Sequence, residues 1–217
     1  MIICCGEALI DCLPRKLEGG EDVFQPVNGG SVYNTAIALG RLGHKVGLFA
    51  GMSTDFFGDS LRDGLKASFV SPKFLRTKPL HTTLAMVKLV DGHARYSFID
   101  DASAGRMLVK ADLPKLAKSV SALHFGWISL IAEPCGATYE ALLKREAKSR
   151  VISLDPNIRP TLINDKAKHL KRLNRLIALC DIVKISDEDV KWMTGSTNLE
   201  KAARAWLKKG AKIIAIT

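Results

Sequence analysis

The chain has 217 residues, 47% hydrophobic and 25% charged, with 32 Lys and Arg against 22 Asp and Glu for a formal net charge of +10. This composition excludes a disordered chain, and the length allows one large core with a small insert. No stretch approaches the ~20 apolar residues of a spanning helix and no basic leader precedes an apolar run, so neither a membrane partner nor a signal peptide is expected.

The basic surplus raises the question of nucleic acid. The basic residues alternate with apolar ones in segments such as AKHLKRLNRLIAL (167–179), which is the pattern of a solvated helix face. No nucleic-acid partner is expected; a positive field suits a phosphate-bearing small molecule instead. Cys4, Cys5, Cys12, Cys135 and Cys180 make an odd set without metal spacing, which is the usage of a reducing cytoplasm. His44, His81, His93, His124 and His169 show no metal spacing either.

In chain order, MIICC (1–5) reads as a first strand, and GEALID brings it to Asp11. Residues 12–27 give two short extended pieces around Gly19 and Gly20. SVYNTAIALGRLG (31–43) has helical spacing, KVGLFA (45–50) is a strand, and DFFGDSLRDGLKA (55–67) is a second helix. Residues 81–100 read as a hairpin about Asp91 and Gly92, with Ala94, Tyr96 and Phe98 on one face of its second strand and Arg95 and Ser97 on the other. Strands VSALHFG (120–126), RVISLD (150–155), DIVKIS (181–186) and AKIIAIT (211–217) then alternate with helices at 135–148, 167–180 and 199–210. Such alternation predicts an α/β/α sandwich with a mainly parallel sheet. Residues 1–11, 28–80 and 101–217 are expected to form this main domain, and 12–27 and 81–100 a small β-sheet lid. The lid's apolar face needs cover from a closed state or from a second subunit.

Ligands in open parallel sheets sit beyond the carboxyl ends of the strands. Asp11, DPNIRP (155–160) and SDED (186–189) all follow strands. Taken singly, DPN suits a turn and SDED suits a helix N-cap with acids favoured by the helix dipole. Gly29 and Gly30, directly ahead of the polar Asn34 in an apolar helix, either turn the chain or let bare backbone approach a ligand. The standard phosphate-loop and nucleophile-elbow patterns are absent from the sequence.

Together these residues resemble the ribokinase-like (PfkB) carbohydrate kinases. NGGSVYNTAIALGRLGHKVGLFAGMSTDFFG is similar to that family's first signature, and GEALID, DGHARYSF, SAGRM and DPNIRP bring the chain closest to the fructokinase branch and the neighbouring 2-keto-3-deoxygluconate kinases. The resemblance implies a ribokinase-like fold and ATP-dependent phosphorylation of a sugar hydroxyl with Mg2+. A nucleoside kinase of the same family, or a catalytically inactive sugar-binding fragment, are the alternatives. It implies that Asp11, Gly29, Gly30, Asn34 and Tyr96 line the sugar site and that Arg159 meets phosphate or a substrate oxygen. It places Asn157, Lys184 and Ser186 toward the nucleotide, with Asp189 acting indirectly on the metal. Ser186 stands where the family usually has Asn and Asp189 where it usually has Glu. The second signature, Asp-Thr-x-Gly-Ala-Gly-Asp, is absent, so the chain is expected to be C-terminally incomplete, inactive alone, with the catalytic base beyond residue 217. A homodimer formed through the lid is a further expectation.

Overall fold

A computed structural model describes residues 1–90 and 93–217. The expected turn at Asp91 and Gly92 lies outside the described residues, as do the side chains of Ala94 and Arg95. The main sheet has seven parallel strands in the order β13-β12-β11-β10-β1-β4-β6. These are β1 (Ile2–Cys5), β4 (Val46–Phe49), β6 (Val70–Ser71), β10 (Ala122–Gly126), β11 (Val151–Asp155), β12 (Ile182–Ile185) and β13 (Ile213–Ile216). The short pair β5 (Gly51–Ser53) and β7 (Arg76–Lys78) stands apart.

The predicted mainly parallel architecture is present, and strand alternation sorts the core. Ile3 and Cys5 point to one face, where Phe49, Phe125 and Leu154 join Tyr139 and Leu142 of α3 (Cys135–Glu146), Leu176 of α4 (Lys166–Ile177) and Trp206 of α6 (Leu199–Lys209). Cys4 and Leu48 point to the other, against Val32 and Tyr33 of α1 (Ser31–Arg41) and Leu61 and Leu65 of α2 (Phe56–Ala67). Strands β1 and β4 are therefore apolar on both sides, which explains their continuous hydrophobic runs. The five cysteines are buried and free.

A second sheet of four strands has the order β3-β2-β8-β9. Its members are β2 (Leu9–Lys16), β3 (Asp22–Gly29), β8 (Leu84–Val90) and β9 (His93–Ile99). Asp11 belongs here. The sequence places it at the end of the first strand, whereas β1 stops at Cys5 and Asp11 is the third residue of β2, paired with Val27 of β3. Residues 3–10 are all buried, so no polar residue outside the core marks the break between the two strands. On β9, Tyr96 and Phe98 are partly buried while Ser97 and Ile99 are exposed, in line with the alternation expected there.

Candidate active site

The site is assembled around the turn from β3 into α1. Gly30 is the N-cap of α1 with φ 105°, a conformation that glycine adopts without strain. A Cβ at Gly29 would overlap Asp11 Oδ2, so the carboxylate of Asp11 occupies the space a side chain there would need. Gly30 therefore turns the chain, and Gly29 leaves room for the Asp11 carboxylate. Burial raises the pKa of Asp11 above the usual carboxylate value. Asn34 lies one helical turn on, exposed, its backbone amide donating to Gly30 O at 2.8 Å.

Beneath this turn lies a residue to which the sequence reading assigned no role. Glu7 is 7% exposed, its Oε1 accepts from Val32 N at 3.0 Å, and its Oε2 has no hydrogen-bond partner. Burial pushes its carboxyl up to about 7. GEALID contains this residue, but nothing local in the motif signals that it is buried.

The segment after β11 forms a second group. Asn157 has φ 39°, unusual for a side chain-bearing residue, and its amide donates to Asp155 Oδ1 at 3.2 Å. Arg159 Nη1 donates to Asn157 Oδ1 at 2.8 Å, and its guanidinium stands 5.9 Å from the ring centroid of Tyr96. Lys184 pairs with Asp155 at 3.3 Å. Ser186 is the N-cap of α5 (Asp187–Thr194), its hydroxyl accepting from Asp189 N at 3.0 Å. Asp189 is buried, and its Oδ2 accepts from Ile158 N at 3.2 Å, which ties α5 to the DPNIRP segment. Burial raises the pKa of this carboxyl, against the opposing pull of that amide.

The two groups meet near the end of β10. A Cβ at Gly126 would stand 2.7 Å from Asp155 O and 3.5 Å from Val32 Cγ2, so α1 and the end of β11 approach across this glycine. A cavity of about 810 Å³ opens beside them, with Phe98, Asp100, Arg106 and Ile128 on one side and Leu162 and Arg172 on the other. Its lining includes none of the residues predicted for the sugar or nucleotide. Asp100 accepts from Thr83 Oγ1 at 2.6 Å and Ser103 Oγ at 2.8 Å, and Arg106 lies over it, bonded to Asp101 at 2.7 Å. SAGRM is the only sequence signal for this wall.

No group of three or more His, Cys, Asp or Glu side chains comes together among the described residues. No helix among the described residues is long and apolar enough to cross a membrane.

The arrangement defines a class: a parallel sheet with helices packed on both faces, joined to a second sheet of four strands. A family model for the pfkB family carbohydrate kinases matches residues 1–217, and the chain belongs to that family. It is 54% identical over 217 residues to a fructokinase of Rhizobium leguminosarum bv. trifolii, covering all of this chain and 67% of that protein. It is 32% identical to fructokinase-2 of Solanum lycopersicum, covering 95% of this chain and 66% of the relative. Among solved structures, a fructokinase from Xylella fastidiosa superposes with a TM-score of 0.88 at 27% identity, covering 100% of this chain and 69% of that one. The chain thus spans about two thirds of the length of these relatives.

Proposed function

We propose that the protein is a fructokinase, transferring a phosphoryl group from ATP to a hydroxyl of fructose. The observation that carries this reading is the Asp11 carboxylate held against the side-chain-free Gly29, beneath a lid whose Tyr96 meets Arg159. A carboxylate accepts two hydroxyl hydrogen bonds, and a glycine pair lets backbone groups reach a compact polyol. The fructokinase at 54% identity supports fructose as the acceptor.

In this reading Asp11, Gly29, Gly30, Asn34 and Tyr96 hold the sugar, with residues 12–27 and 81–100 as the lid over the main domain. Arg159 meets an oxyanion. Asn157, Lys184 and Ser186 border the nucleotide, and Asp189 holds the DPNIRP segment in place through Ile158. ATP supplies the phosphoryl group and Mg2+ accompanies it; the general base is assigned outside these residues. Leu17, Phe24 and Ile99 are exposed apolar residues of the lid region and support a homodimer formed there. The five free cysteines support a cytoplasmic location.

The test is a coupled ADP-release assay with fructose, 2-keto-3-deoxygluconate and a nucleoside as acceptors. Turnover with fructose preferred supports the reading, and a preference for another acceptor moves the protein within its family. Saturable fructose binding without turnover makes it a sugar-binding protein of kinase ancestry.

A further inference from the structure

We propose that Glu7 is a positioning residue for the sugar site: from beneath α1 it fixes the Gly29–Gly30 turn, and it lines a one-water chamber that shares a wall with the large cavity. The inference rests on the sugar-site reading above.

Two independent contacts connect Glu7 to the turn. Its Oε1 accepts from Val32 N, one of the amides that a helix N-terminus leaves without an intrahelical partner. Its own backbone and Cγ lie directly under Gly30, where a Cβ would stand 3.0 Å from Glu7 O and 3.2 Å from Glu7 Cγ. A shift of the Glu7 side chain therefore moves the turn that carries Gly29 and, through Gly29, the space left for Asp11.

The second oxygen points elsewhere. Oε2 is buried without a partner, and Glu7 lines a chamber of about 20 Å³ together with Thr83, Asp100, Arg106, Ser129 and Tyr139. A chamber holds a water once it offers roughly 10–15 Å³ and two or more polar partners. Asp100, Arg106 and Ile128 also line the large cavity, so the two spaces share a wall. A buried carboxylate oxygen with nothing to accept is costly, and one water donating to it removes that cost.

The protonation state decides how firmly the turn is held. An ionised carboxylate accepts more strongly from the α1 amides and is favoured by the helix dipole, whereas the neutral acid loses both advantages. Cys135 and Tyr139 of α3 face the chamber, both pushed up by burial and neutral near pH 7. Asp100 and Arg106 face it from the segment after β9, and α1 offers only backbone amides. Burial places the Glu7 carboxyl at about 7, so the exchange between the two states falls near neutrality.

Glu7→Gln tests the proposal, because the amide keeps the shape and the acceptor for Val32 N while mimicking the neutral acid. The fructose Kd is measured by calorimetric titration for both proteins from pH 5.5 to 8.5. The expected wild-type Kd rises about tenfold as pH falls through 7, while Glu7→Gln shows the high value throughout. A variant Kd equal to wild type at every pH, or a raised Kd that keeps the wild-type pH slope, overturns it. In parallel, the Glu7 carboxyl carbon and the Val32 amide are followed by NMR over the same range without sugar. If both move together near pH 7 while the protein binds no fructose, the function reading fails and the positioning role stands. If the Val32 amide ignores the titration, the positioning role fails.

Discussion

The guanidinium of Arg159 stands 5.9 Å from the ring centroid of Tyr96, joining strand β9 to the segment that follows β11. Tyr96 is also stacked on Phe98 at 6.0 Å, and both pack on a small core of Leu9, Ala85 and Ile128. This face of the four-stranded sheet is thus held through ring faces, and an attraction of this kind contributes about 0.5–1 kcal/mol at a partly exposed position. Tyr96→Leu should weaken fructose binding by roughly two- to fivefold, the equivalent of that energy. Tyr96→Phe should stay near wild type. If fructose titrations show Tyr96→Phe impaired as much as Tyr96→Leu, the hydroxyl rather than the ring face is the working group.

Asp11 and Gly29 share one volume, so their substitutions should not add. Asp11→Ala removes the acceptor for sugar hydroxyls, and a buried hydrogen bond to a charged group is worth about 1.5–3 kcal/mol, or roughly ten- to a hundredfold in affinity. Gly29→Ala pushes the same carboxylate aside and should cost a similar factor. In the double variant the freed space accepts the new methyl, so the combined loss should fall well short of the sum. Calorimetric fructose titration of the four proteins closes the cycle. Additive losses would separate the two residues.

Much of this was legible because it is local. The six sheet strands expected from apolar runs are present, and Ser186 caps α5 as its sequence context suggests. What the residues alone could not show depends on long-range packing. Glu7 looks like any acid in a motif until Val32 and Gly30 are placed above it. Asp189 reads as an acid favoured by a helix start, and only packing shows it buried and engaged with Ile158 from a segment 31 residues away. Strands β6 and β7, of two and three residues, are too short to show a period at all.

The carboxylate of Asp55 joins α2 to the segment that leads into β8. It caps α2 through Gly58 N at 2.7 Å and accepts from Thr82 N and Thr82 Oγ1, each at 2.7 Å. Burial works to raise its pKa, but the bonds from Thr82, Gly58 and Ser53 outweigh this and hold it below the usual value. Asp55→Ala should lower stability by about 2–4 kcal/mol, since it removes a cap and leaves buried donors unmatched. Asp55→Asn should recover only part of the loss, because one side-chain oxygen cannot replace two. Urea unfolding of the three proteins decides it, and a loss under about 0.5 kcal/mol for Asp55→Ala would show that the bonds add nothing net.

His169 sets an acid limit on the fold. It is buried on α4, 6.4 Å from the ring centroid of Trp192, and burial, with Arg172 adding to it, lowers its pKa from 6.5 to about 4. A depressed folded-state value means that the unfolded chain binds the proton more readily. The stability held by neutral His169 is therefore fully present above about pH 6.5 and is lost as pH falls toward 4, by up to about 3 kcal/mol. His169→Gln keeps a polar side chain without this titration. Its stability relative to wild type should improve steadily between pH 6.5 and 4 and stay constant above pH 7. Unfolding curves at pH 7.5, 6, 5 and 4.5 measure the difference. A constant difference across that range would mean that the imidazole is protonated as readily in the fold as out of it, and that the acid sensitivity lies in the carboxylates.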